Sequence, residues 1–476
     1  MQKFISKYAL AAHLALLAVA PLFLFPYCTP SSIATVELYL TLFVAVWIVC
    51  EPSRRSGETM HAARTRVLSS IVGDALFWIM AVVSLIAALR WANCGVAMAF
   101  DLESETWSIS LPRLAFIPGS VEGAGYLPFA VSVAGMILVA GCRHALGKSA
   151  RICFLFTSSS LAGLSAIATA VLAYCGCPGA VVATKCSMLT ASFVGSTFGL
   201  YLLASVAALP GIFEMRWNKL LVLFSLSIGG TATGLYFFAP APVVALYAAA
   251  AALIMVCSTG YAGFVLSGNE AFKCVAAVII AALIPVLCVM WFSNAEIDSA
   301  RLDAIGAGIE GLFPERFVQA RDILSSVAAK AWEGNSWLGT GLGSFPLDVR
   351  FHAAAEDWST LVPGQAAALN GWWTLLAERG IIGAMVLAVV LAFLLWSFII
   401  RLAGAFGRSC FVPACVLGPV ALLALIAETF IDNSFLRPEA LMAAAAFLAL
   451  ASASLPQWRQ RKESQAEKDG IRKKGC

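Results

Sequence analysis

Long apolar runs, each about as long as a helix needs to cross a lipid bilayer, follow one another along most of the chain. A spanning helix needs about 20 mostly apolar residues. We distinguish twelve such runs, at residues 8–28, 33–50, 67–89, 126–142, 152–174, 188–209, 219–238, 243–266, 274–292, 381–400, 411–430 and 440–455. The pattern predicts an all-α polytopic membrane protein with about 12 transmembrane helices and one large loop between helices 9 and 10.

The composition supports a membrane environment. Hydrophobic residues make up 61% of the chain and charged residues only 12%, whereas a soluble domain carries about 25% charged residues. This excludes a water-soluble globular fold. We divide the chain into residues 1–292 (helices 1 to 9), 293–380 (the large loop, partly helical), 381–455 (helices 10 to 12) and 456–476 (a basic tail).

Lysine and arginine are concentrated on one side of the predicted helices. That side carries Lys3, Lys7, Arg54, Arg66, Arg143, Arg151, Arg216, Lys219, Lys273, Arg401, Arg408 and the basic tail. The short connections on the other side carry Arg90, Arg113, Lys185 and Arg437. Because positively charged flanks stay in the cytoplasm, we predict that both termini are cytoplasmic and that the large loop lies outside the cytoplasm.

The large loop is acidic overall. Residues 293–379 hold six basic and eleven acidic side chains, a net charge of 6 minus 11, or minus five. This disfavours a diffuse surface for nucleic acid, so we expect individual arginines to hold any anionic ligand. An oxidising compartment would also permit a disulfide between Cys186 and either Cys175 or Cys177 in a short outer connection.

Three segments of the loop have recognisable patterns. Residues 314–332 have apolar positions at helical spacing and predict an amphipathic helix with Arg321 on its flank. The sequence G-T-G-L-G-S-F from Gly339 predicts a turn in which the amides of Gly341 and Gly343 approach a ligand. Asn370 is a suitable N-cap for a helix that continues into the tenth span.

The order of these segments resembles a known family. The sequence R-D-I-L-x(7)-W-x(5)-L-G-T-G-L-G-S-F, followed after about two dozen residues by L-N-x(7)-E-x-G-I-I-G, is similar to that of the O-antigen ligase and polymerase (Wzy C-terminal) family. The resemblance covers roughly residues 321–383. It implies a protein of the bacterial inner membrane that transfers a glycan from an undecaprenyl diphosphate carrier to a lipid or glycan acceptor, without a metal or other cofactor.

The resemblance also implies roles for particular residues. Such a transfer needs cations for the departing diphosphate and a base for the proton of the attacking hydroxyl. Arg321 occupies the position of the family's loop arginine, and its planar guanidinium suits phosphate. Arg350, Gly341, Gly343 and Asn370 complete the expected substrate-binding residues.

Two positions depart from the family pattern. Leu369 stands where the family has the His before the Asn, and residues 239–242 read A-P-A-P where the family often has Ser-Arg. His352, the only loop histidine, can act as the base beside Arg350. Glu356, Asp357 or Glu378 are alternatives for the base, although Glu378 also suits a helix-orienting role. Otherwise the chain is a non-catalytic component that binds a lipid-linked glycan.

A third hypothesis is a transporter or flippase, which the helix count alone suggests. Ionisable residues deep in a membrane are usually functional, and Asp74 lies about two turns into the third predicted span. Its alternative interpretation is a capped or paired residue near the cytoplasmic interface. We find no pair of matching broken helices, the usual signature of a secondary transporter.

Overall fold

A computed structural model describes most of the chain. The described residues are 2–24, 28–51, 58–101, 106–110, 114, 119–174, 194–214, 221–239, 241–265, 272–274, 276, 315–359, 361, 368, 370–404, 413–430 and 438–454. Most of the ninth predicted span, the first part of the loop, Leu369, the basic tail and the cysteines at 175, 177 and 186 lie outside this set.

Helices form nearly all of the described structure. Their bounds are α1 (Gln2–Leu24), α2 (Pro30–Cys50), α3 (Met60–Val72), α4 (Ala75–Ala92), α5 (Tyr126–Ala140), α6 (Lys148–Tyr174), α7 (Val194–Glu214), α8 (Leu221–Phe238), α9 (Ala241–Val265), α10 (Glu315–Gly334), α11 (Phe345–His352), α12 (Gly371–Gly404), α13 (Pro413–Glu428) and α14 (Pro438–Ser454). A π-helical turn, Gly141–Ala145, extends α5, and a short 3-10 helix, Ala355–Ser359, follows α11.

Seven of these helices are long and apolar enough to cross a membrane: α2, α4, α5 with its π-helical turn, α6, α7, α9 and the first part of α12. The apolar parts of α1, α13 and α14 are shorter. The protein is therefore a membrane-embedded, mainly helical protein. The spanning part of α7 is 94% buried and that of α4 only 11%, so α7 lies at the centre of the bundle and α4 at its periphery.

Contacts between helix ends define two ends of the bundle. Arg321 of α10 donates to the carbonyl of Phe430 just after α13 (2.8 Å), and the Gly371 amide that begins α12 donates to the Thr429 carbonyl (2.8 Å). We call this the loop end. At the far end, Arg151 near the start of α6 donates to the Ala453 carbonyl near the end of α14 (2.8 Å).

The third predicted span is broken at Gly73 and Asp74, which is a correction to the continuous helix expected there. Asp74 caps α4 by accepting the Leu76 amide (3.0 Å). Its two carboxylate oxygens also contact Arg143 (2.7 Å) and His144 (2.6 Å) on the π-helical turn. Asp74 is thus both capped and paired, as one of the two interpretations of the sequence predicted.

A small sheet lies between α4 and α5, where the sequence pattern predicted only a connection. Strand β1 (Cys94–Asp101) pairs antiparallel with β2 (Thr106–Ser110) and parallel with β3 (Ser120–Val121), in the order β2-β1-β3. An alternation of apolar and polar residues over so few positions is difficult to recognise between two long apolar runs. The sheet matters because the Val121 amide donates to the Leu342 carbonyl of the large loop (2.9 Å).

The loop helices have a small core of their own. The predicted amphipathic helix is confirmed as α10, and its buried face holds Leu324, Val327, Ala328 and Ala331. Phe345 and Val349 of α11 pack against that face. This second core is separate from the main core of the membrane helices, so the described part of the loop packs as a unit against the loop end.

Candidate functional site

The glycine turn, Gly339–Thr340–Gly341–Leu342–Gly343, joins the loop to α12 and to the sheet. All three glycines have positive φ (72°, 112° and 77°), a conformation that other residues rarely adopt. The Thr340 amide donates to the Ala377 carbonyl (2.8 Å) and the Gly341 amide to that of Glu378 (3.1 Å). On its other side the Leu342 amide donates to the Gly119 carbonyl (3.0 Å).

A kink in α12 receives this turn. Gly380 has φ 61° and ψ −171°, which are not helical values. A Cβ atom at Gly380 would overlap the Trp337 carbonyl and the Gly339 amide nitrogen. The Ile381 amide, released from the helical pattern, donates to the Ser336 carbonyl instead (2.9 Å). The kink therefore depends on glycine for both conformation and space.

Glu378 lies directly under the turn. Its side chain is only 3% exposed, and its Oε1 accepts the Gly343 amide (3.0 Å). The amides of Gly341 and Gly343, which the sequence analysis assigned to a ligand, thus donate to Glu378. This contact suits the helix-orienting role considered for Glu378, and the proposed binding role of the two glycines stays a prediction.

Asp348 is a second buried acid beneath the turn, and the sequence analysis did not single it out. It is fully buried on α11, and its Oδ2 lies 2.9 Å from Thr340 Oγ1 and 3.2 Å from Ser344 Oγ. Burial raises its pKa to about 7 despite these two hydrogen bonds, which lower it. Asp348 therefore changes protonation state near neutral pH.

Arg321, the predicted diphosphate ligand, holds the loop on the bundle. Its Nη2 donates to the Phe430 carbonyl beyond α13 (2.8 Å), and its side chain is partly exposed. Basic side chains commonly satisfy the free carbonyls at helix C-termini in this way. A guanidinium has five N–H donors and this contact uses one of them, so it is compatible with a second role in binding an anion.

His352 and Arg350 lie on the last turn of α11 but do not share a face. Arg350 is exposed and His352 is half-buried against the ring of Phe351, with centroids 4.8 Å apart. Burial, and then the charge of Lys330, lower the pKa of His352. The imidazole is therefore neutral at physiological pH, the form that accepts a proton.

Asn370 is confirmed as the N-cap of α12. Its Oδ1 accepts the amides of Trp372 (3.0 Å) and Trp373 (3.4 Å). The alternative bases Glu356 and Asp357 lie on the 3-10 helix; Glu356 is exposed and Asp357 partly so. The structure therefore brings Gly341, Gly343 and Glu378 together, whereas the other predicted residues lie at separate points of the loop.

Two arginines that sequence analysis did not assign to the site lie beside Glu378. Arg379 follows Glu378 in the chain. Arg90 at the end of α4 interacts electrostatically with both Glu378 and Arg379. Arg90 is only 8% exposed. A single arginine on the otherwise uncharged helix α4 was the only available signal in the sequence.

Comparison with known proteins does not assign the chain. No family model matches it, and no curated protein is significantly similar to it. Within the described ranges, no cluster of three or more His, Cys, Asp or Glu side chains is arranged to hold a metal ion. The resemblance of the loop motif to the O-antigen ligase and polymerase family remains an expectation from the residues quoted above.

Proposed function

We propose that the protein transfers a glycan from an undecaprenyl diphosphate carrier to an acceptor at the loop end of the bundle. The observation that carries this proposal is the loop itself, whose described part folds around its own core and places Arg321 on the end of a membrane helix. Arg321 reaches the end of α13, and the charge of Arg90 interacts with those of Glu378 and Arg379 near the glycine turn. Cations at a membrane surface are what a departing diphosphate requires.

The proposed chemistry is a substitution at the anomeric carbon of the donor sugar. The acceptor hydroxyl oxygen forms a bond to that carbon while the carbon–oxygen bond to the diphosphate breaks. Undecaprenyl diphosphate leaves with the bonding electrons, and arginine guanidinium groups compensate its charge. The hydroxyl proton passes to the neutral imidazole of His352, whose lowered pKa keeps it ready to accept one.

The proposed topology has twelve spans with both termini in the cytoplasm of a bacterial cell. Contacts among the described helices support it, because successive helices alternate in direction between the two ends. At the far end Tyr261 of α9 reaches Glu214 of α7 (3.4 Å), whereas α10 lies at the loop end. A ninth span between α9 and α10 is what the proposal requires to join these two ends.

A reconstituted reaction tests the proposal directly. The purified protein in nanodiscs receives an undecaprenyl diphosphate-linked oligosaccharide and a membrane acceptor, and the release of undecaprenyl diphosphate is followed. We expect release that depends on the acceptor. Arg321→Ala and His352→Ala should each lower the rate at least about 100-fold, the usual contribution of a proton-transfer or charge-stabilising group. Glu333→Gln, at an exposed position of α10, is the matched loop control.

A non-catalytic role in the same pathway is the second candidate. Leu369 at the position of the family's histidine favours it, because leucine cannot accept a proton. Binding of the carrier-linked glycan without any turnover would establish this alternative and refute the transferase proposal. The transporter hypothesis continues to rest on the helix count alone, and the pairing of Asp74 with Arg143 and His144 suits the alternative interpretation of that residue.

A further inference from the structure

Arg90 is an unusual residue for its position. It belongs to the last turn of α4, a helix whose spanning part faces outward over most of its length. Its own side chain is nevertheless 8% exposed, and its Nε has no hydrogen-bond partner in the described structure. Burying a guanidinium without saturating its donors is costly, so this arrangement needs a reason.

A continuous set of contacts brings Arg90 to the site. Its carbonyl accepts the hydroxyl of Ser120 in β3 (2.9 Å), and Ser120 pairs with Leu342 of the glycine turn. The next residue of the turn toward the N-terminus, Gly341, donates its amide to the Glu378 carbonyl (3.1 Å). The end of α4, the turn and the kink of α12 are thus one connected structure.

Arg379 lies on α12, next to the kink that receives the glycine turn. Its side chain runs along α12 over Gly383, where an added Cβ would overlap the Arg379 Cβ. Both arginines interact electrostatically with Glu378. The Oε1 atom of Glu378 also accepts a hydrogen bond from the Gly343 amide. The described structure contains no direct ion pair between Glu378 and either guanidinium group, so the two positive charges near this carboxyl group are not paired with it.

Aromatic side chains near Arg90 are of the kind that concentrates at the depth of lipid headgroups. Trp91, adjacent to Arg90, is 43% exposed and lies against Tyr126 and Phe129 at the start of α5, with ring centroids 5.0 and 5.3 Å away. Exposed tryptophan and tyrosine concentrate at the boundary between hydrocarbon and headgroups. We therefore expect the guanidinium group of Arg90 to lie at the level of the lipid phosphates.

We propose that Arg90 and Arg379 form a phosphate-binding site beside the glycine turn and Glu378. The planar donors of arginine bind phosphate oxygens bidentately, and a bound phosphate supplies both the missing acceptor for Arg90 and the missing negative charge. The identity of the ligand as the diphosphate of the lipid carrier rests on the proposed function. Arg321 then anchors the loop on the bundle rather than carrying the diphosphate alone.

Binding and stability together test the site. The purified protein in phosphatidylcholine nanodiscs is titrated with undecaprenyl diphosphate, with inorganic pyrophosphate and with phosphatidylglycerol in separate arms. Affinity is measured by the change in tryptophan fluorescence and by the shift in melting temperature. We expect the wild type to bind undecaprenyl diphosphate, and Arg90→Met and Arg379→Gln to bind it at least about 10-fold more weakly, the loss of one good charge-assisted contact. Lys330→Gln should match the wild type.

The ligand-free melting temperature distinguishes binding from folding. A purely structural Arg90 predicts a less stable Arg90→Met variant, whereas an arginine kept for an anion predicts equal or higher stability, because the variant buries a matching apolar side chain without an unsatisfied donor. Arg90→Lys, which keeps the charge but not the planar fork, should recover part of the affinity. Wild-type affinity in Arg90→Met, or a loss of stability in both Arg90 variants, would overturn the site.

The three ligands separate this inference from the proposed function. If pyrophosphate or phosphatidylglycerol binds in an Arg90-dependent manner and undecaprenyl diphosphate binds no better than phosphatidylglycerol, the phosphate site stands and the carrier assignment fails. If undecaprenyl diphosphate binds equally to the wild type and to both arginine variants, the carrier assignment stands and the site fails. If the wild type binds none of the three, both are wrong.

Discussion

The buried carboxyl of Asp348 makes the stability of the loop depend on pH near neutrality, and replacing it with asparagine should remove that dependence. Asp348 Oδ2 lies within hydrogen-bond distance of the hydroxyls of Thr340 and Ser344. The same two hydroxyls also reach the Ala377 carbonyl (3.1 Å) and the Gly341 carbonyl (2.7 Å). Each hydroxyl has one proton to donate, so an ionised Asp348 competes with the two carbonyls for two protons.

Protonation of Asp348 removes this competition. The carboxyl then brings a proton of its own, and each hydroxyl is free to donate to its backbone carbonyl. Burial is the cause that raises the pKa of Asp348 from 3.8 to about 7, against the lowering effect of the hydrogen bonds from Thr340 and Ser344. The folded loop therefore binds a proton that the unfolded chain releases between those two pH values.

The sign and size of the effect follow from linkage. Because the pKa is higher in the folded state, the contribution of Asp348 to stability is fully present below pH 3.8 and is lost as the pH rises to about 7. A difference of about three units at 1.36 kcal/mol each sets an upper bound of about 4 kcal/mol on the loss. The substitution Asp348→Asn places a neutral side chain of the same shape there, which mimics the protonated acid at every pH.

Thermal unfolding of the purified protein measures the effect. Asp348→Asn should melt at about the same temperature as the wild type below pH 3.8, at a somewhat higher temperature at pH 5 and at a clearly higher temperature at pH 8. Hydrogen exchange of the α11 amides should show the same difference locally. Asp322→Asn, at an exposed position of α10, is the matched control. Equal pH profiles for the wild type and Asp348→Asn would refute the assignment of a raised pKa to the buried Asp348.

Three further substitutions test the structure around the site. Asn370→Ala removes the cap of α12 and should destabilise the protein by about 1 kcal/mol, seen as a lower melting temperature that Asn370→Asp restores. Gly380→Ala should destabilise it by more than about 1 kcal/mol, because of the positive φ and the overlap with the Trp337 carbonyl, and proteolysis of the loop should become faster. Asp74→Asn keeps a capping side chain but leaves Arg143 without its anion, and a loss of about 3 kcal/mol in stability is expected; loss of function at full stability would instead revive a transport role.

The amino-acid sequence alone predicted the helical parts of this protein. Apolar runs of about 20 residues have only one backbone conformation that satisfies every peptide group in a bilayer, so ten of the predicted spans reappear as helices close to their expected bounds. The amphipathic spacing before Trp332 and the cap at Asn370 are equally local signals, and both were confirmed.

Only the tertiary structure decided which charges meet. Arg90 and Arg379 lie in distant parts of the chain, and the strand β3 that joins them through the glycine turn is two residues long. In the sequence Asp348 is one of eleven acidic residues of the loop. Only the folded structure shows that it is buried beneath the glycine turn. Local patterns specify a helix or a cap because the interacting groups are near in sequence. A shared charge site depends on long-range packing, which no local pattern contains.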